Sequence, residues 1–505
     1  MNIEELKYQI LQQFGFPPTP EQAQALDVFV QFMTDSNPHA VMILRGSAGT
    51  GKTSLSGAIV RTLRAVRQKV MLLAPTGRAA KVFSLNSGIP AYTIHRRIYR
   101  EKAFAGVDGQ FNLNDNLYTD TLFMVDEASM IANLGLGGTT FGSGCLLDDL
   151  VHFVYQGRND RLLLIGDKAQ LPPVGEEESP ALSAAMLQGY GLSVYECDLN
   201  EVVRQSQQSG CLFNATRIRQ MITHDDITQL PKIRFSGFSD IREMPGAELI
   251  EALGDSYHHV GLDDTIVVTR SNKRANIFNQ GIRNMVLDRE EKLESGDMLM
   301  IVKNNYYWME EERKKIKERE LSEERRVKSE KFNTLANHTV QSNELPAFLA
   351  NGDRAKVMKV SRRIDLYGFH FATLLLKFPD YDNYELEATV LLDTLTSEAP
   401  ALTHDQQEQL FHKIEEDYQD IPLKADRMKA IRQDPYFNAL QVKFAYAVTC
   451  HKAQGGQWSH VYVDQGYMTD DMLTPDYIHW LYTAFTRATE MLYLVNWPKT
   501  QVEGE

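Results

Sequence analysis

The sequence is poor in the features that mark several large classes of protein. It has only four cysteines, and they are too scattered for a disulfide framework or a zinc site: Cys145, Cys197, Cys211 and Cys450. No apolar run is long enough to span a bilayer, and residues 1–18 lack the basic and apolar segments of a secretory signal. We therefore expect a cytoplasmic protein without membrane contact, in which the cysteines are ordinary core thiols.

Positive charge is scarce as well. Lysine and arginine together number 53 against 67 acidic residues, which gives a net charge of −14 at pH 7. This balance argues against a protein that coats nucleic acid through bulk charge, but it allows a local basic groove, because phosphate contact needs only a few donors. The 43% of hydrophobic residues indicates a folded chain, and its length predicts about three or four domain-sized units.

The most informative motif that is present is Gly46–Thr53, with the sequence GSAGTGKT. It follows the apolar run Ala40–Leu44, which predicts a buried strand, and precedes Ser54–Val66, which predicts a helix. Glycines let backbone N–H groups face a phosphate, and the helix N-terminus adds partial positive charge. Lys52 can then reach the β- and γ-phosphates of ATP, while the Thr53 hydroxyl binds Mg²⁺. The loop residues expected to contact ATP are Gly46, Ala48, Gly49, Thr50, Gly51, Lys52 and Thr53.

Two further loops follow apolar runs and complete the chemistry of a triphosphatase. Asp126 comes directly after one such run and can hold Mg²⁺ through water, while Glu127 can orient and deprotonate the attacking water. Gln170, in the segment Leu162–Val174, is positioned to sense the γ-phosphate. For that segment alone, a plain turn ended by proline is an equally good interpretation.

The spacing of apolar runs predicts an α/β fold. Val70–Ala74, Leu122–Val125 and Arg161–Ile165 each end at a polar turn, as strands of an open parallel sheet do. The pattern restarts after residue 199, with Thr265–Thr269 as a strand and Ser271–Leu287 as a helix.

Between residues 296 and 438 the composition changes. Segments 353–360, 372–378 and 384–392 alternate like the strands of a small β-unit. Residues 309–331 form a mixed charge run, which we expect to be a solvated helix or an insertion.

Taken in order, the motifs resemble the RecD-like and Dda-like helicases of superfamily 1B. The matching segments run through almost the whole chain: 20–22 (Q motif), 46–53 (I), 74–80 (Ia), 93–96 (Ib), 126–129 (II), 166–174 (III), 203–205 (IV), 449–455 (V), 482–488 (VI) and 351–353 (the start of an SH3-like insertion). Motif V departs from the family pattern, because Gln457 stands where an acidic residue is frequent.

The resemblance implies two RecA-like P-loop domains with parallel sheets. Domain 1A would span 1–198, with a small 1B insertion at about 97–119, and domain 2A would span 199–295 and 439–505. A β-rich SH3-like domain 2B would occupy 296–438, with the charged segment 309–331. The implied activity is ATP- and Mg²⁺-dependent unwinding of DNA, 5′-to-3′ along a single strand, in repair, recombination or replication. We expect a monomer that binds single-stranded DNA, duplex junctions and single-strand-binding or recombination proteins.

The resemblance also assigns residues to roles. Gln22 would read the adenine edge, Gly455 would contact ATP, and Arg204 and Arg487 would reach the γ-phosphate from the second domain. The catalytic set is then Lys52, Glu127, Gln170, Arg204 and Arg487. The DNA-binding set is Pro75, Thr76, Thr93, His95, Thr449 and His451. Alternatives stay open for the two arginines, which could cap helix-end carbonyls, and for the two histidines, which could be packing residues.

Three other functions remain to be weighed. An RNA helicase of the same superfamily would share every ATPase motif. An ATP-gated switch would bind nucleic acid without unwinding it. A P-loop kinase or transporter ATPase is disfavoured, because such proteins have no use for motifs V and VI.

Overall fold

The computed structural model describes residues 3–101, 111–134, 142–203, 208–224, 227–329 and 348–504. The chain divides into two compact units, one of Met1–Ala275 with Ala447–Glu505 and one of Asn276–Tyr446. Among the residues that the structure describes, no helix is both long and apolar enough to cross a membrane. All four cysteines are free thiols, three of them buried and Cys145 half-buried.

The elements alternate along most of the chain. The strands are β1 (Ala40–Gly46), β2 (Lys69–Ala74), β3 (Ala91–Thr93), β4 (Tyr99–Glu101), β5 (Phe111–Leu113), β6 (Thr121–Val125), β7 (Arg161–Gly166), β8 (Ser193–Leu199), β9 (Ile241–Met244), β10 (Thr265–Thr269), β11 (Met298–Ile301), β12 (Arg354–Leu366), β13 (Phe369–Phe378), β14 (Tyr384–Leu391), β15 (Leu440–Phe444), β16 (Ala447–Thr449), β17 (Trp458–Asp464) and β18 (Ala488–Val495).

The α-helices connect and cover these strands. They are α1 (Ile3–Phe14), α2 (Pro20–Thr34), α3 (Lys52–Ala65), α4 (Gly77–Ser87), α5 (Ile94–Ile98), α6 (Leu146–Gln156), α7 (Ala184–Gly189), α8 (Gly210–Thr223), α9 (Leu249–His259), α10 (Asn272–Gly281), α11 (Tyr307–Ser329), α12 (His404–Asp417), α13 (Lys424–Arg432), α14 (Cys450–Ala453) and α15 (Pro475–Phe485).

The first sheet has six parallel strands in the order β3-β2-β6-β7-β1-β8. Strands β1, β6 and β7 are buried along their whole length, which is why their sequences are continuous apolar runs. Helices α1, α2 and α3 cover one face and contribute Leu26, Phe29 and Ile59 to a core that also contains Met42 and Met124. The carboxyl ends of these parallel strands meet at one edge, so the predicted loops after β1, β2, β6 and β7 lie along that edge.

The second sheet lies in the same unit and is also parallel, in the order β16-β10-β17-β18-β9. Thr269 pairs with both Thr449 and Asp464, so these three residues mark the carboxyl edge of the sheet. Trp458 pairs with Ala488 at the amino edge, which puts Arg487, just before β18, at the opposite end of the sheet from Thr449.

The second unit contains a closed five-stranded barrel, β11-β12-β13-β14-β15. The predicted alternation is visible in β13, where buried and half-buried side chains follow one another from Ala372 to Phe378. The barrel closes through β15, which ends at Phe444, beyond the predicted end of the insertion at 438. Helix α11 carries the charged run, and α12 and α13 pack Leu410, Ile414 and Ile431 on a small core beside the barrel.

The predicted fold class is confirmed. The chain is an α/β protein with two parallel sheets and a β-rich barrel. The region of the predicted small insertion forms a short antiparallel pair, β4 with β5, and residues 102–110 between them lie outside the described part of the chain.

Candidate functional site

The phosphate-loop motif forms a tight turn between β1 and α3. Gly49 and Gly51 have φ values of 77° and 81°, a left-handed conformation that favours glycine. The Thr50 hydroxyl donates to the Ser47 carbonyl oxygen over 2.8 Å and closes the turn. Lys52 folds its ammonium group back to the carbonyl oxygens of Gly46 and Ser47, the second at 3.0 Å. The positive charge of the Lys52 side chain is thus held against the backbone of the loop.

Gln22 supports this loop from α2. Its carboxamide oxygen accepts a hydrogen bond from the Thr19 N–H at 3.0 Å, which completes a capping box at the start of the helix. Its carboxamide nitrogen donates to the Thr50 carbonyl oxygen at 2.9 Å. A Cβ atom on Gly51 would lie only 2.6 Å from that nitrogen. The side chain therefore buttresses the loop; its predicted contact with adenine stays a prediction.

Two adjacent carboxylates lie at the end of β6. Glu127 has φ 53° and ψ 37°, a strained left-handed conformation that is rare outside glycine. Asp126 accepts a hydrogen bond from the Glu127 N–H at 2.9 Å. Burial, and then the charge of Glu127, raise the pKa of Asp126, so this pair is crowded with negative charge. A cation relieves such crowding.

The loop after β1 and the acidic pair open onto one cavity of about 500 Å³. The lining side chains from the first sheet include Lys52, Thr53, Asp126, Glu127, Asp167 and Gln170. Those that follow the first sheet in sequence include Ser209, Cys211, Leu212, Asp240, Gln457, Arg487 and Glu490. Residues far apart in the sequence therefore surround one volume that can hold a small ligand.

Arg487 lines this cavity and is almost completely buried, with 3% of its surface exposed. It donates to the carbonyl oxygens of Thr483 and Gly456 at 3.0 and 3.1 Å, and to the Thr486 hydroxyl at 3.0 Å. These contacts fit the alternative role, in which Arg487 caps carbonyl groups at a helix end. Its position at the cavity fits the predicted contact with the γ-phosphate, which stays a prediction. Arg204 lies outside the described residues.

Tyr482, on α15, connects the phosphate loop to the loop after β7. Its hydroxyl accepts a hydrogen bond from the Ala48 N–H at 3.0 Å and donates one to the Asp167 carboxylate at 2.6 Å. Burial, and then the charge of Asp167, raise the pKa of this phenol well above its usual value, so the hydroxyl keeps the proton that it donates. One hydroxyl thus joins two loops that line the cavity to helix α15 of the second sheet.

Three more contacts tie the loop after β7 to elements of the second sheet. The Leu171 N–H donates to the Thr483 hydroxyl at 2.8 Å, and the Gln454 side chain donates to the Leu171 carbonyl oxygen at 2.7 Å. A ring nitrogen of His479 lies 2.9 Å from the Ala169 carbonyl oxygen. The buried carboxamide oxygen of Gln170 has no partner among the described residues, although its side chain lines the cavity. This loop is therefore anchored on the second sheet and leaves Gln170 available to a ligand.

Sequence reasoning missed Tyr482, Thr483, Gln454 and Asp167. All four fall inside segments that the sequence had marked, 166–174, 449–455 and 482–488. The signal was present, but a motif does not tell which of its members touch each other.

Of the residues predicted to contact DNA, Thr76 and Thr93 are helix caps. Their hydroxyl oxygens accept hydrogen bonds from the N–H groups of Ala79 at 3.2 Å and Arg96 at 3.4 Å. Each hydroxyl proton remains able to donate. Pro75 is half-buried directly before Thr76, at the carboxyl end of β2. These positions are compatible with phosphate contact, which stays a prediction.

The two histidines differ in their surroundings. His95 packs against Tyr99, with ring centroids 5.6 Å apart, and burial lowers its pKa to about 4. It is therefore neutral at physiological pH. His451 is exposed on α14; partial burial and the nearby Lys452 charge lower its pKa as well. Thr449, before it, does not cap α14 with its side chain.

Motifs Ia and V meet directly. A Cβ atom on Gly455 would lie 3.1 Å from the Thr76 hydroxyl oxygen, so this glycine allows the two backbones to approach. Arg78 stacks over the Trp458 ring at 4.3 Å and donates to the Gln457 carbonyl oxygen. The segment after β2 and the segment before β17 are thus in direct contact.

Two protein-family models match the chain. The first match lies within the first unit, and the second begins at the last residue of β15 and continues into the first unit. An AAA domain matches residues 18–226, and a UvrD-like helicase C-terminal domain matches residues 444–495. The ATP-dependent RecD2 DNA helicase of Deinococcus radiodurans is 32% identical over 155 residues, which cover 30% of this chain and 18% of that protein. The predicted resemblance to the RecD-like helicases is confirmed.

An uncharacterized protein of Methanocaldococcus jannaschii is also similar, 34% identical over 167 residues. The match covers 31% of this chain and 13% of that protein, so the chain spans less than a fifth of either curated relative.

Similar solved structures include Pif1 helicases. The Bacteroides protein in complex with ADP-AlF₃ and ssDNA is 13% identical with a TM-score of 0.44, and the match covers 97% of this chain and 95% of that one. The Candida albicans protein is 16% identical with a TM-score of 0.36, over 96% and 97% of the two chains.

Proposed function

We propose that the chain is an ATP-dependent DNA helicase that moves 5′-to-3′ along single-stranded DNA. The observation that carries the proposal is the single cavity that brings together Lys52, the Asp126–Glu127 pair and Arg487. The RecD-like sequence similarity supports the same activity. The proposal includes the domain limits expected from the sequence: 1–198, 199–295 with 439–505, and 296–438.

In this proposal the phosphate loop binds the triphosphate through its N–H groups and Lys52. Thr53 and Asp126 would hold Mg²⁺, which neutralises charge on the β- and γ-phosphates. Glu127 removes a proton from the attacking water, and its strained backbone fixes the carboxylate at the cavity. Arg487, with Arg204, stabilises the charge that develops on the γ-phosphate.

Hydrolysis becomes movement because the two sheets share the nucleotide site. The Tyr482 hydroxyl occupies the Ala48 N–H, a donor that a bound phosphate would also use. Competition for this donor changes the contact between Tyr482 and Asp167, and with it the attachment of the loop after β7 to α15. A nucleotide therefore biases how the two sheets are held together.

DNA would be gripped at the strand tips of both sheets. Thr76 and His95 provide one grip, and Thr449 and His451 provide the other. His95 is neutral, so it contributes a hydrogen bond and no charge. Such contacts go to phosphates, which makes binding independent of sequence and sensitive to salt. The partners are single-stranded DNA and duplex junctions, and the active species is a monomer.

Lys52→Ala is expected to abolish ATP turnover, because the β- and γ-phosphates lose their cation. Glu127→Gln is expected to bind ATP and retain it without hydrolysis, because the base is lost while the phosphate contacts remain. Phosphate release and ATP retention on the purified variants measure both effects. Lys69→Ala, at the amino end of β2, is the matched control. Wild-type turnover by Lys52→Ala would contradict the assignment of Gly46–Thr53 as the triphosphate-binding loop.

Arg487→Ala is expected to lower kcat by at least about 100-fold, since arginines that stabilise the phosphoryl transition state contribute that much or more. ATP affinity and DNA affinity should change little, because the contact matters chiefly as the transition state forms. Steady-state kinetics with nucleotide titrations measure the split, and a thermal melt checks that the lost carbonyl contacts do not unfold the protein. Normal kcat with a collapsed affinity for ATP would make Arg487 a binding residue instead.

A duplex with a 5′ single-stranded tail is expected to be unwound, with little activity on a blunt or 3′-tailed duplex. The superfamily 1B pattern of residues 93–96, 166–174 and 351–353 motivates this polarity. Opening a base-pair step costs only about 1.4 kcal/mol on average, so hydrolysis supplies enough free energy for each step. A strand-displacement assay with matched tails measures the preference. Preferential unwinding of the 3′-tailed duplex would assign the chain to the opposite polarity group.

A further inference from the structure

Helix α8 lies against the phosphate loop, although no motif places it there. A Cβ atom on Gly49 would be 3.2 Å from a methyl carbon of Leu212. Seven residues later in the same helix, Arg219 donates a hydrogen bond to the Ser47 hydroxyl. Residues seven apart share one face of an α-helix. One face of α8 therefore runs along the loop and ends in a guanidinium group.

Arg219 approaches from the side of the second sheet. The Asp240 carboxylate, just before β9, accepts a hydrogen bond from the Gly210 N–H at 2.7 Å and fixes the start of α8. The helix also packs against α15, which precedes Arg487. Arg219 therefore reaches the phosphate loop from the same set of elements that carries Arg487.

The present partners of Arg219 are neutral. Besides the Ser47 hydroxyl, it donates to the Asn200 carbonyl oxygen at 3.3 Å, and it forms no ion pair with any carboxylate in the described part of the chain. A guanidinium offers five N–H donors and binds anions more strongly than neutral acceptors. A half-buried cation with only neutral partners is suited to an anion that arrives with a ligand.

Ser47 marks the end of the loop where the terminal phosphates belong. Its carbonyl oxygen lies 3.0 Å from the Lys52 ammonium, and the lysine of such a loop reaches the β- and γ-phosphates. The charge of Arg219 also acts on the Tyr482 hydroxyl, which accepts a hydrogen bond from the Ala48 N–H of the same loop. Burial and the Asp167 carboxylate raise the pKa of that phenol, and the Arg219 charge acts in the opposite direction. The Arg219 guanidinium therefore bonds the same residue whose carbonyl oxygen holds the Lys52 ammonium.

We propose that Arg219 is a third arginine of the nucleotide site, which exchanges the Ser47 hydroxyl for the terminal phosphate of a bound nucleoside triphosphate. The inference rests on the proposed ATPase function and adds to it a residue that distinguishes triphosphate from diphosphate. Because α8 belongs with the second sheet, the contact would also tie that sheet to the loop only while the triphosphate is intact.

Nucleotide titrations of the full chain test this role, with ADP and a non-hydrolysable ATP analogue, each with Mg²⁺. Arg219→Ala is expected to raise the Kd for the analogue by about 10-fold or more, because a charge-assisted hydrogen bond is lost. The Kd for ADP should rise by less than about 3-fold. Arg219→Lys keeps the charge but lacks the planar guanidinium donors, so its loss of affinity for the analogue should be intermediate. Arg217→Ala, two residues earlier and paired with Glu503 at the surface, is the matched control and should leave both affinities unchanged.

Ser47→Ala distinguishes phosphate binding by Arg219 from a purely structural role, in which Arg219 only attaches α8 to the phosphate loop. If Arg219 only anchors α8 to Ser47, this variant will reproduce the effect of Arg219→Ala. If Arg219 binds phosphate, Ser47→Ala will keep the preference for the triphosphate. An equal loss for both nucleotides in Arg219→Ala, or the same loss in Ser47→Ala, would overturn the inference. Should Arg219→Ala fail to fold, the intermediate loss expected for Arg219→Lys still decides the question. A wild-type chain that binds neither nucleotide would contradict the proposed function itself.

Discussion

The contacts that α15 makes with the two cavity-lining loops hold the candidate site together. The Tyr482 hydroxyl accepts a hydrogen bond from the Ala48 N–H and donates one to the Asp167 carboxylate. The Thr483 hydroxyl accepts one from the Leu171 N–H. The bonds to Asp167 and from Leu171 are buried, so leaving either of those groups without a partner costs about 1–3 kcal/mol. A ligand that competes for one of them must therefore replace it. We propose that this requirement couples ligand binding at the phosphate loop to the position of the second sheet.

Much of the fold followed from local sequence patterns. Strands buried on both faces must be continuous apolar runs, and Ala40–Gly46, Thr121–Val125 and Arg161–Gly166 could be found for that reason. Strand β8, Ser193–Leu199, was not found, because it is the edge strand and several of its side chains are exposed. Helices α12 and α13 were missed because they are polar on most of their surface and bury only a few residues.

The candidate site was predictable in its parts and not in its connections. The phosphate loop and the acidic pair have fixed residue types, because phosphate and metal chemistry leave little choice at Lys52 or Asp126. Contacts such as Arg219 with Ser47 join residues 172 apart, and no local pattern encodes such a pair. The role of Gln22 as a buttress of the loop was hidden for the same reason, since its partner Thr50 lies on another element.

We propose that nucleotide hydrolysis and nucleic-acid binding depend on one mechanical unit made of the two parallel sheets. The most direct test is the steady-state ATPase rate of the purified chain with single-stranded DNA, with RNA and without nucleic acid, at one salt concentration. We expect slow turnover without nucleic acid, a severalfold or greater increase with single-stranded DNA and a much smaller increase with RNA. Equal rates under all three conditions would show that ATP hydrolysis is not coupled to nucleic-acid binding.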